Sequence, residues 1–181
     1  MNLPNLITLF RIAVVPVFIW LLFTAPEKHS IERWLSVALF VLAIATDGVD
    51  GAIARRRNLV TNLGKLLDPI ADKALLGGAL ISLSILNEVG WWITIVILLR
   101  EVGITVYRLV VARRRVIAAA GGGKLKTVLQ SIAVGLVLSP FDVIFDWVVP
   151  VEHLLIYLAF VITLTSGAQF IAAEMKARRV N

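Results

Sequence analysis

Six apolar stretches, near residues 6–25, 33–56, 65–87, 91–112, 125–149 and 151–173, are each long enough to cross a hydrocarbon core of about 30 Å, which takes roughly 20 helical residues. A chain built this way has too much apolar surface to hide in one water-bounded core. Hydrophobic residues make up 59% of it and charged residues only 17%, with a mean hydropathy of +0.90, far from the soluble globular norm. No closed series of alternating strands is visible, and backbone in lipid must satisfy its own hydrogen bonds, so the segments are expected to be helices. The expected fold is all-α: an integral membrane protein with six transmembrane helices. Short connections and the lack of repeats or low-complexity linkers make residues 1–181 a single domain. The fifth stretch is interrupted by "SPFDVIFDWVVP", with Pro140, Asp142, Asp146 and Pro150, so its span is expected to close near Leu138. The opening "MNLPNLITLFR" has neither a basic leader region nor a small-residue cleavage site and reads as retained structure.

Charge alternates between the connections. Arg55, Arg56, Arg57 and Lys65, then Arg113, Arg114, Arg115, Lys124 and Lys126, then Lys176, Arg178 and Arg179 fall on one side. The other side holds Glu88, then Asp142, Asp146 and Glu152, and a first loop balanced by Glu27, Lys28, Glu32 and Arg33. The positive-inside bias places both termini in the cytoplasm of a bacterial-type inner cell membrane. The net charge of +6 is then a topology signal and a basic face toward anionic membrane lipids, and no nucleic-acid module is present. Without cysteine, and with His29 and His153 isolated, the chain is not expected to bind zinc.

Four of the six aspartates lie within "TDGVDGAIARRRNLVTNLGKLLDPIADK". Asp47 and Asp50 are three apart on the second helix and Asp68 and Asp72 four apart on the third, so each pair occupies one helical face. With helix two ending near Arg57 and helix three starting near Gly64, Asp50 and Asp72 lie about 10 to 12 Å inside the cytoplasmic ends. Antiparallel packing across a short turn would gather all four. Carboxylates crowded in a low dielectric need a cation, and acceptor-only oxygen ligands favour a hard divalent ion. Gly51 and Ala54 leave room for a bulky ligand, Arg55 suits a phosphate, and Thr61 and Gly64 sit in the covering turn. A cation transporter is the alternative from another class, but its site belongs near the midplane, away from basic residues.

The order Asp47, Asp50-Gly51, Ala54-Arg55, Gly64, Asp68, Asp72 reproduces D-x2-D-G-x2-A-R-x8-G-x3-D-x3-D, the pattern of the CDP-alcohol phosphotransferases, without a departure. The resemblance extends to the six-helix layout, the "PNLITLFR" opening and the "GKLKT" segment. It implies that Asp47, Asp50, Asp68 and Asp72 hold two ions of Mg2+ or Mn2+, with Asp72 also the base toward the acceptor hydroxyl. It further implies that Gly51, Arg55, Thr61 and Gly64 hold CDP-diacylglycerol, with Asn5 and Thr8 near the nucleotide, and that the enzyme is a homodimer.

Beyond the motif, "LREVGITVYRLVVARRR" and "GGGKLKTVLQ" supply Arg100, Arg108, Lys124 and Lys126 as candidate acceptor ligands, with Glu101 able to neutralise one cation. This arrangement resembles the phosphatidylglycerophosphate-forming branch, whose acceptor is glycerol 3-phosphate. The branches that make cardiolipin or phosphatidylinositol phosphate share the eight-position motif and are the alternatives within the family. Arg56, Arg57 and Arg113 to Arg115 fit topological anchoring, and the glycines at 77, 78, 90, 103, 135 and 167 fit close helix contacts. Trp91, Trp92 and Trp147 fit interface anchors.

Overall fold

Long apolar runs punctuated by proline, glycine and charged turns fold into helices that stop where the backbone finds another partner. The computed structural model describes the backbone of residues 3–56, 62–111 and 123–179 and the side chains of 6–46, 67–108, 110–111 and 126–176. Among the described residues there is no strand. Six long helices are described: α1 (Leu3–Thr24), α2 (Ile31–Arg56), α3 (Asn62–Ile85), α4 (Trp91–Val111), α5 (Gly123–Leu138) and α7 (Val148–Arg179). A single turn, α6 (Phe141–Ile144), lies between the last two. Helix α3 gives way to a turn in which Asn87 adopts a left-handed φ of 61°, and the Glu88 and Val89 amides both donate back to the Leu83 carbonyl, at 2.9 and 3.3 Å.

Helix α5 stops at Leu138, where Ser139-Pro140 withdraws the next amide donor. Its last carbonyls are taken by a side chain from another helix. Arg33, 2% exposed, donates from Nε to the Leu138 carbonyl at 2.7 Å and from Nη2 to that of Val137 at 3.3 Å. The same guanidinium pairs with Glu88 at 2.5 Å, and Lys28 pairs with Asp142 at 2.5 Å and Glu88 at 3.6 Å. Three connections at this end of the bundle are thus tied by charge.

The core is aliphatic and aromatic, with Phe18 and Leu22 of α1 against Phe40 of α2, Leu80 and Leu83 of α3, and Val134 and Leu138 of α5. Large apolar side chains also face outward on every long helix, among them Trp20, Val41, Ile81, Leu99, Ile132 and Leu154. Two segments, Leu6–Thr24 and Val148–Lys176, are long and apolar enough to cross a bilayer. Most of the flagged glycines are close contacts. A Cβ at Gly78 would meet Ile19 of α1 at 3.1 Å, one at Gly77 would meet Leu98 of α4 at 3.1 Å, and one at Gly167 would meet the Arg100 stem at 3.2 Å. Gly103 has nothing within 4 Å, and Gly90 abuts Trp92 of its own turn.

Among the described residues, α2 and α3 are joined through α1, which packs on both, more than by contact with each other. Helix α1 is therefore the element that relates the two halves of the acidic motif.

Candidate active site

The described backbone of α2 reaches Arg56 and that of α3 begins at Asn62, so Asp47 and Asp50 stand in the last described turns of α2 and Asp68 and Asp72 in the first described turns of α3. All four stand on helices, near the end of the bundle that also carries the α2–α3 connection.

Asp68 and Asp72, one turn apart on α3, each accept a hydrogen bond from α1. Thr8 Oγ1 donates to Asp68 Oδ1 at 2.8 Å, and Arg11 Nη1 donates to Asp72 Oδ1 at 3.0 Å. Thr8 and Arg11 are both about 1% exposed, so these donors are fixed in protein. The Asp72 side chain is 37% exposed and open to a ligand. Sequence reading placed Thr8 near the nucleotide but passed over Arg11. A lone guanidinium inside an apolar run, three residues from Thr8 on the same helical face, was the signal available.

Lys73, the next residue on α3, enters a cluster of cations. Glu101 of α4, 8% exposed, accepts at Oε2 from Lys73 of α3 at 2.5 Å, and at Oε1 from Arg100 at 2.9 Å and from Lys126 of α5. Arg100 continues to Ser166 of α7 at 3.0 Å. Glu101 meets three cations where one was expected, and Lys73 was not foreseen. Arg108 is exposed and lies over the Phe170 ring at 5.1 Å, apart from this cluster. The side chains of Asn5, Asp47, Asp50, Gly51, Arg55, Gly64 and Lys124 lie outside the described residues, as does Thr61 altogether.

Among the described residues no three metal-ligating side chains come together. Among the described residues, Asp68 and Asp72 supply carboxylate oxygens one turn apart on α3, the type of donor that suits a hard divalent ion.

Residues 1–165 match the family model CDP-alcohol phosphatidyltransferase. A probable phosphatidylglycerophosphate synthase of Mycobacterium tuberculosis (strain H37Rv) is 49% identical over 78% of this chain and 68% of its own. The CDP-diacylglycerol--glycerol-3-phosphate 3-phosphatidyltransferase of Bacillus subtilis (strain 168) is 39% identical over 99% of this chain and 98% of its own. The protein of the same name from Shigella flexneri (serotype 5b) is 35% identical over 95% and 94%. The chain belongs to the CDP-alcohol phosphatidyltransferase family, and it is a transferase of phospholipid biosynthesis.

Proposed function

We propose that the chain transfers the phosphatidyl group of CDP-diacylglycerol to glycerol 3-phosphate, giving phosphatidylglycerophosphate and CMP. The observation that carries this reading is the juxtaposition on α3 of Asp72, an accessible carboxylate, with Lys73, which enters a cluster of three cations and one carboxylate. An acceptor bearing a hydroxyl at one end and a phosphate at the other fits that pairing. The names of the relatives give the same two substrates.

Asp47, Asp50, Asp68 and Asp72 would hold Mg2+ or Mn2+, two ions, which when bound polarise the diphosphate and stabilise the leaving CMP. Asp72 takes the proton of the acceptor hydroxyl, whose oxygen forms a bond to the phosphorus bearing the diacylglycerol as that phosphorus loses its oxygen bridge to CMP. Arg11 holds Asp72 Oδ1 and so directs the carboxylate, and Thr8 does the same for Asp68. Gly51, Arg55, Thr61 and Gly64, with Asn5, are assigned to the CDP-lipid. Arg100, Arg108, Lys124 and Lys126 are assigned to the acceptor.

All six long helices cross the membrane in this reading, with both termini and the acidic motif at the cytoplasmic face of the cell membrane, and the enzyme works as a homodimer. The outward apolar side chains on every long helix support the spans. The test is CMP release by purified protein with CDP-diacylglycerol, Mg2+ or Mn2+ and competing alcohols. Release should require glycerol 3-phosphate, stop with a chelator and resume when the metal is restored. Release driven instead by inositol phosphate or phosphatidylglycerol would assign the chain to another branch.

A further inference from the structure

We propose that Glu101 is a positioning residue that gathers Lys73, Arg100 and Lys126 into one seat for the acceptor's phosphate. The inference deepens the proposed transfer to a phosphorylated alcohol and rests on it. Three helices contribute cations to a single carboxylate: Lys73 from α3, Arg100 from α4 and Lys126 from α5. A structural ion pair would balance its charges. Among the described residues the contacts of Glu101 bring three positive charges to one negative, a surplus of two in a largely buried place, which is costly to maintain without a further anion. A phosphate monoester carries about −1.5 to −2 at neutral pH and matches that surplus.

Exposure gives the seat a direction. Lys126 is 4% exposed and Arg100 18%, whereas Lys73 is 35% exposed and adjoins Asp72, itself 37% exposed. The cluster therefore opens at its Lys73 corner. Glu101 occupies one N–H of each lysine ammonium and leaves two on each for a ligand, which fixes the aim of otherwise flexible side chains. Arg100 is fixed at its other end by Ser166, and Gly167 leaves its stem space against α7.

The sign of the effect separates positioning from simple charge. If Glu101 only diluted the positive field, Glu101→Gln would lower the KM for glycerol 3-phosphate. If it positions the cations, the uncompensated charges spread apart. The expected result for full-length protein in nanodiscs is a rise of about 10-fold or more in that KM, with the KM for CDP-diacylglycerol within about 2-fold. Inorganic phosphate should weaken in parallel as a competitor of the acceptor. Glu101→Asp, which keeps the charge but shortens the reach, should fall between. An unchanged or lower KM for the acceptor, or equal rises for both substrates, overturns the proposal. Should Glu101→Gln fail to fold, Lys73→Gln, at a part-exposed position, must show the same acceptor-selective rise or the seat is refuted. A wild-type enzyme that uses a different phosphorylated alcohol keeps the seat and loses the acceptor assignment. One that uses only an alcohol without phosphate loses both.

Discussion

Two residues on α1 and two on α3 make the described part of the acidic site, and their bonds set what each substitution should do. Asp72→Asn keeps the shape of the side chain but cannot take a proton, so turnover should be abolished while CDP-lipid binding stays measurable by equilibrium binding. Retained turnover would remove Asp72 from the role of base. Arg11→Met deletes the donor held 3.0 Å from Asp72 without reaching the substrate. Losing such an orienting partner typically costs about 10- to 100-fold, so kcat should drop by that much with the KM for CDP-diacylglycerol little changed. The aspartates were legible because a carboxylate in an apolar chain is rare enough for spacing alone to single it out. Arg11 was not, because what sets it apart is burial, which depends on α3 packing over it. Glu101 was legible as a neutraliser but not as the junction of three cations, since Lys73 and Lys126 reach it from helices distant in sequence.

At the scale of the element, the ends of the helices followed from local chemistry. Pro140 and the acidic run around it predicted the close of α5 at Leu138, and the glycines at 77, 78 and 167 predicted close approach between helices. The partner of the α5 terminus could not be predicted, because Arg33 lies over 100 residues away in the chain. Arg33→Ala strips the Val137 and Leu138 carbonyls of that donor and leaves Glu88 without its guanidinium. Breaking a pair this buried should cost about 3 kcal/mol and lower the midpoint of thermal inactivation in detergent. Activity below that midpoint should be nearly unchanged, since the clasp lies at the other end of the bundle from Asp72. A kcat loss at low temperature would show that the two ends communicate.

For the whole molecule, the number and order of the long helices were legible from hydropathy, and the relation between them was not. Among the described residues, α1 packs against both α2 and α3. Periodicity reports which face of a helix is apolar, not which neighbour it meets. The absence of cysteine makes orientation directly measurable by single-cysteine labelling. A cysteine at Ser30 should react with an impermeant maleimide from outside intact spheroplasts, and one at Lys176 only after lysis. The reverse pattern would invert the topology and place the acidic motif on the wrong side for a cytoplasmic substrate.

Thr8 and Arg11 sit three residues apart on α1 and serve carboxylates four residues apart on the parallel run of α3. The first helix thus works as a gauge whose markings have to line up with those of the third. Lengthening α1 by one residue just beyond Val14 would turn both donors by about 100° and slide them about 1.5 Å, unlatching the two acids in a single stroke. In the proposed transfer, the N-terminal helix therefore belongs with the two acids it holds.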